Sequence, residues 1–283
     1  MPSLPGSAPQ FVWTLEPAIV AAAAVAGTLF LRSFVRLRRR GRSDHASWDR
    51  VVLFAAGLAA AVLPLVSPLD VIADRYLLCA HMLEHVLLGD AAPALLLLAL
   101  RGPLLFFFLP AEVLAPLAGL APLRAVLAFL LRPRISVAIW AGVMAFWHVP
   151  AAYDYTLTHQ TVHNLEHACF FVAGLLVWTQ LIDPARQRRL TRGQRLGVAA
   201  ALFWLGTVLS DVLIFSFHPL YQSYASQPDR LFGLSPVRDQ QLAGIVMMSE
   251  QFLSLGTCCL FLLLPLLRRP GASAHGLVRE QIA

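Results

Sequence analysis

The sequence predicts an all-α fold, a polytopic membrane helix bundle of about seven transmembrane helices. Three observations carry that prediction. Of 283 residues, 58% are hydrophobic and only 13% charged, whereas a soluble domain carries about 25% charged residues. Apolar stretches of about 20 residues, the length that crosses a hydrocarbon core, recur along the whole chain. All 22 basic residues are arginine, and they fall almost entirely in alternate inter-span segments. Such alternation is what an oriented membrane protein shows. The formal charge of +6 then reflects topology and anionic lipid, and gives no indication of a nucleic-acid partner.

The spans are expected at roughly 11–31, 49–66, 76–100, 135–151, 162–182, 196–217 and 241–267. Met1 to Gln10 carries no basic residue, so the first span reads as a membrane helix and not as a signal peptide, which needs a positive n-region. Span one is followed by Arg32, Arg36, Arg38, Arg39, Arg40, Arg42 and Arg50. Span three is followed by Arg101, Arg124, Arg132 and Arg134, span five by Arg186, Arg188, Arg189, Arg192 and Arg195, and span seven by Arg268, Arg269 and Arg279. Nineteen arginines thus share one side, and only Arg75, Arg230 and Arg238 fall on the other. The positive-inside rule orients the chain N-out and C-in. Residues 1–283 read as one integral membrane domain. Within it, 101–134 is broken by Pro103, Pro110, Pro116, Pro122 and Pro133 into pieces too short to span, and these read as helices lying at the cytoplasmic interface. The loop from Pro219 to Arg238, with Tyr221, Tyr224 and Phe232, is placed to fold over whatever lies at the outer end.

One pattern occurs twice inside the spans: His81-Met82-Leu83-Glu84-His85 and His163-Asn164-Leu165-Glu166-His167. On a helix, positions i, i+3 and i+4 share one face, so each copy points two imidazoles and a carboxylate the same way. Ionisable groups at membrane depth are costly and mark function. The topology adds His148, closing span four, and His218, closing span six, to the same outer layer. Helical spacing brings Met144, Asp211, Met247 and Met248 towards it. The candidate metal ligands are therefore His81, His85, His148, His163, His167, His218, Glu84, Glu166, Met144, Met247, Met248 and Asp211. Each has a plainer reading: an i, i+4 histidine pair can be structural, methionine fills gaps, and Glu84 or Glu166 can orient an imidazole and not bind metal. Asp90, off the histidine face, reads as a packing group. Cys79, Cys169, Cys258 and Cys259 form no CxxC pair and read as small core residues.

Imidazole suits zinc, copper, iron and nickel, and thioether selects Cu(I); several histidines with nearby methionine favour copper. Haem and zinc remain as alternatives. A bis-imidazole haem needs one histidine per helix, and an intramembrane metalloprotease needs one HxxEH helix and not two. No nucleophile or proton relay is arranged, so no enzyme is expected.

Ser67-Pro68-Leu69-Asp70, Ala80-His81-Met82 with His85, and Ala92-Pro93-Ala94-Leu95 resemble the CtaG-type cytochrome c oxidase assembly factors of bacteria. So do Trp147-His148-Val149-Pro150-Ala151-Ala152-Tyr153-Asp154 with His163 and Leu165-Glu166-His167, and Asp239-Gln240-Gln241-Leu242-Ala243-Gly244. The resemblance implies a seven-span protein of the bacterial inner (plasma) membrane. It also implies a partner, the subunits of a haem-copper terminal oxidase, and a task, supplying or placing copper. A haem-binding electron carrier and a copper transporter are the competing readings.

Overall fold

The computed structural model describes residues 12–267; the first residue expected in span one, and Arg268, Arg269, His275 and Arg279, lie outside the described residues. Within them every regular element is helical and there is no strand. The helices are α1 (Pro17–Arg39), α2 (Trp48–Val66), α3 (Pro68–Arg75), α4 (Leu78–Val86), α5 (Ala92–Ala99), α6 (Pro103–Phe108), α7 (Ala111–Gly119) and α8 (Ala121–Leu130). There follow α9 (Pro133–Trp147), α10 (Pro150–Thr156), α11 (Gln160–Ile182), α12 (Arg192–Phe215), α13 (Gln222–Ala225), α14 (Pro236–Gln251) and α15 (Thr257–Leu267). A π turn, Leu87–Ala91, joins α4 to α5, and another, Phe252–Gly256, joins α14 to α15. Each pair therefore runs as one long span, Leu78–Ala99 and Pro236–Leu267. Proline stands in the first turn of α1, α3, α6, α9, α10 and α14, where its missing N–H costs nothing and its fixed φ suits a helix.

Six helices are long and apolar enough to cross a membrane. The span expected at 135–151 is long and apolar enough only as a bent pair: α9 stops at Trp147, and α10 leaves at an angle of 78°. Pro150 is the cause, because it disfavours helical geometry at Val149 and cannot donate to the preceding turn. The helix of span one runs on to Arg39, past the expected 31. Its late arginines lie along aromatic surface, with the Arg36 and Arg40 guanidinium groups 5.2 and 5.4 Å from the Phe107 ring centroid. Within 101–134, α6 packs on α1, and α7 and α8, none of whose residues is buried, are bent by 86° at Leu120.

Two spans form the centre. In Leu78–Ala99 and in Gln160–Ile182, 56% of the most apolar window is buried, against 11–28% in the other four. They cross closely: a Cβ on Gly174 would overlap the carbonyl oxygen of Gly89, so glycine there sets how near α11 comes to the π turn after α4. Close approach at small residues is the usual way membrane helices pack. α2 flanks this pair through α5, α9 flanks α11, and α12 with α14 closes the other side.

The two ends of the bundle differ in chemistry. At one end, the buried Arg50 guanidinium donates to the carbonyls of Ala99 (3.1 Å) and Arg101 (2.7 Å), serving carbonyls that the end of α5 leaves open. Arg195 pairs with Asp183 at 2.7 Å, and Gly102 N–H donates to the Pro184 carbonyl. At the opposite end, Thr14 N–H meets the Val66 carbonyl, and α3, the start of α4, α10, the start of α11 and the 219–235 loop come together. The arginine-poor end carries the histidines.

Candidate metal centre

The centre starts with how α4 begins. Leu78 and Cys79 have backbone N–H groups without intrahelical partners, as every helix start does. The Asp239 carboxylate, from the first turn of α14, accepts both, at 2.8 and 3.0 Å. One residue on, Gln240 accepts from Leu220 N–H at 2.7 Å and donates to the His218 carbonyl at 3.3 Å. The Asp239-Gln240 block therefore ties α4, α14 and the outer-end loop together and leaves the histidines free.

From α4, His81 and His85 point at α11, and His163 and His167 point back. All four are buried, and each offers a nitrogen lying within 4.8 Å of those of the other three. Ring centroids are 4.3 Å apart in the first pair and 4.2 Å in the second, and across the helices His81–His163 and His85–His167 are 5.2 and 5.4 Å apart. Nitrogens bound to one ion at about 2.0–2.1 Å lie roughly 3.3 Å from one another in a tetrahedron. The offered nitrogens, all within 4.8 Å of one another, lie near that spacing.

Hydrogen bonding assigns the protons. The Tyr224 hydroxyl donates to the Ala73 carbonyl at 2.6 Å, and burial raises its pKa further, so it keeps its proton. With that proton spent, the 3.0 Å contact between Tyr224 Oη and His81 Nδ1 has His81 as donor. His81 Nε2 then carries the lone pair, 2.9 Å from His85 Nε2. Nε2 of His163 and of His167 and Nδ1 of His85 are buried without a partner. A buried, unpaired polar atom costs about 1–3 kcal/mol, and several converging ones amount to a site built for something the protein side chains do not supply.

Carboxyl groups surround the imidazoles. Glu166 Oε1 is 3.7 Å from His85 Nε2, and Asp74 Oδ1 is 3.6 Å from His163 Nε2 and 3.8 Å from His81 Nδ1. Glu84 forms a second close group with Asp74 and His81. On α3, burial and the neighbouring Asp70 charge raise Asp74 to about 7, against a smaller opposing effect of Arg75. Burial likewise raises Asp70 to about 6.

The remaining sequence candidates divide. His148, Met144 and Met247 line a cavity of about 40 Å³ that also touches His85. His148 is the C-cap of α9, and its Nδ1 donates to the Met144 carbonyl at 2.8 Å, which leaves the lone pair on a buried, unpartnered Nε2. Met248 and Asp211 are half-buried and belong to neither the cluster nor this cavity. His218 is exposed: α12 ends at Phe215, three residues before it, and the chain turns His218 outwards. His159 is exposed and stacks on Tyr155, and Asp154 caps α13 through Gln222 and Ser223 N–H. Cys258 and Cys259 pack against the apolar cluster around Trp140, Val177 and Leu181. Three residues not among the candidate ligands complete the surroundings: Tyr153, fully buried and 5.1 Å ring to ring from His81, Tyr224 at His81 and Gln251 at the cavity. Tyr153 lies in the Trp147–Asp154 block and Tyr224 among the loop aromatics; Gln251 had no such signal.

The family model described as cytochrome c oxidase caa3 assembly factor matches residues 28–269. That stretch includes both HxLEH helices, His148 and the Asp239 cap. No curated protein and no solved structure matches the chain.

Proposed function

The chain belongs to the cytochrome c oxidase caa3 assembly factor family, and from that premise we propose that it carries copper as cargo on the four-histidine cluster and delivers it to the oxidase during assembly. Membership makes it a membrane-embedded assembly factor that meets the oxidase. Copper, and the hand-over, are the proposal. The observation that carries it is the convergence of His81, His85, His163 and His167 within 4.8 Å, with Nε2 of His163 and of His167 buried and without a protein partner.

The donor set suits the task. Four neutral imidazoles bind copper without the thiolate cage that would hold it too tightly to release, and the protein is a carrier and not a catalyst in this reading. The copper charge is offset by Asp74, Glu84 and Glu166, without which an ion at this depth is expensive. Arginine asymmetry is the argument for an N-terminus outside and a cluster at the outer end; in a bacterial plasma membrane, with which the family is consistent, that end suits an ion handled outside the cytoplasm. Haem fits less well, because the His81 and His163 rings pack 4.3 and 4.2 Å from those of His85 and His167 and occupy the space a flat macrocycle between the helices would need.

His85→Ala or His167→Ala is expected to leave the protein inserted, since membrane-helix stability rests on packing and backbone bonding. Copper per protein falls, and oxidase activity falls with it, while oxidase polypeptides are still made. Added external copper restores part of the activity by mass action. Full oxidase activity in both variants would overturn the proposal.

A further inference from the structure

The cavity beside the four-histidine cluster is not explained by that cluster. It lies deeper along the same helices, between α4, α9, α12 and α14, and at about 40 Å³ it accommodates an ion or one or two waters but no organic cofactor. Three features make it a built site. First, His148 is held by its Nδ1–H to the Met144 carbonyl at 2.8 Å, so Nε2 presents a lone pair, buried and without a partner. An imidazole oriented through its other nitrogen by a carbonyl is how proteins prepare a metal ligand. Second, the thioether residues Met144 and Met247 line the same cavity. Third, its deeper wall is polar. Glu250 Oε2 and Gln251 Oε1 are buried without partners, and Gln251 is only 7% exposed.

The Glu250 carboxyl lines this wall together with the Asp90 carboxyl. Asp90 in turn accepts from Trp178 Nε1 and from Ser254 Oγ, the latter at 2.6 Å. Two carboxyl groups on the wall of one small buried cavity repel each other as anions, so the wall favours one negative charge over two. The pair then presents one net negative charge. Each member sits at a π turn: Asp90 within Leu87–Ala91, and Glu250 two residues before Phe252–Gly256. Such turns insert a residue into a helix and are frequent at functional sites.

We propose that this cavity is a second copper site, one that takes Cu(I) on His148 Nε2 and the thioethers of Met144 and Met247 and neutralises it with the Asp90–Glu250 pair. Imidazole with thioether selects the soft monovalent ion, and one positive charge against one negative leaves no net charge in the low-dielectric interior. His85 belongs to both places: its Nε2 faces the cluster, and the residue lines the cavity. The protein therefore has two adjacent copper stations, four-nitrogen above and nitrogen–sulfur below. This deepens the copper proposal and rests on it.

The test is anaerobic titration of the full chain in mild detergent with Cu(I), against a competing chelator, with copper K-edge X-ray absorption of the loaded protein. Wild type is expected to bind two copper ions, with sulfur in the coordination shell. Met144→Leu with Met247→Leu, a volume-conserving pair, binds one and loses the sulfur shell. His163→Ala with His167→Ala also binds one but retains it. A wild-type protein that binds one ion in a nitrogen-only shell overturns the second site and leaves the four-histidine reading standing. No bound copper at all defeats both. Methionine variants that keep two ions and an unchanged spectrum also overturn the second site.

Discussion

Proton placement at single residues decides which atoms are free. Tyr224 spends its hydroxyl proton on the Ala73 carbonyl and thereby makes His81 Nδ1 the donor, exposing Nε2 to the cluster. Tyr224→Phe removes that partner while keeping the ring. Loss of an outer partner of a metal-binding histidine usually weakens metal affinity by about 10–100-fold. Copper affinity of Tyr224→Phe is expected to fall in that range with an unchanged helical circular dichroism spectrum; an unchanged affinity would mean the tautomer is set otherwise. Asp70 offers a test by pH. Its folded-state pKa is raised to about 6 by burial, so the folded protein holds the proton where the unfolded chain has released it. The contribution of Asp70 to stability is then greatest below about pH 4 and declines as pH rises towards 6. Asp70→Asn removes the charge and is expected to raise the thermal midpoint above wild type more at pH 7.5 than at pH 4.5. Equal gains at the two pH values would show that the raised pKa plays no part.

At the scale of elements, the two HxLEH helices converge because of what lies outside the motifs. Gly174 sits two turns below His167, against the Gly89 carbonyl. Gly174→Val would push α11 away from α4 at a cost of about 1–3 kcal/mol. Copper affinity is expected to drop although no ligand is touched, whereas Gly142→Ala, where nothing lies within 4 Å of the added Cβ, leaves it unchanged. Asp239 is the corresponding tie at the helix start, and Asp239→Ala forfeits a cap worth about 0.5–2 kcal/mol. Much of this was legible in the sequence. Hydropathy locates the spans, and the i, i+4 histidine pairs mark one face each, because both signals are local. His218 was not legible: a spacing of seven residues from Asp211 puts it on the helix face only if the helix reaches it, and α12 stops at Phe215. Met247 and Met248 differ by about 100° around one helix, so only one turns inwards, and packing decides which. Tyr224 reaches His81 across 143 residues, a contact that no local pattern encodes.

At the scale of the whole molecule, charge and chemistry are segregated to opposite ends. Arg50, Arg101, Arg186 and Arg195 gather where α5 and α11 finish, and the histidines gather where α4 and α11 begin. This polarity supports the N-out orientation. A reporter active only in the cytoplasm is expected to be active when placed after Arg188 and silent when placed between Gln227 and Pro228; the reverse pattern would put the cluster on the wrong side for an outward-facing copper carrier.

Copper retention by protein lacking half of the cluster tests the central claim most directly. Full-length wild type and the His163→Asn, His167→Asn variant, purified in mild detergent, are dialysed to equilibrium against buffered copper, and bound metal is counted per chain. Cys258→Ala serves as a control, since it packs in the apolar cluster around Trp140. The account predicts that the histidine variant binds one copper fewer than wild type and that the cysteine variant binds as much as wild type. A histidine variant that binds as much copper as wild type, or a cysteine variant that loses it, would contradict the account.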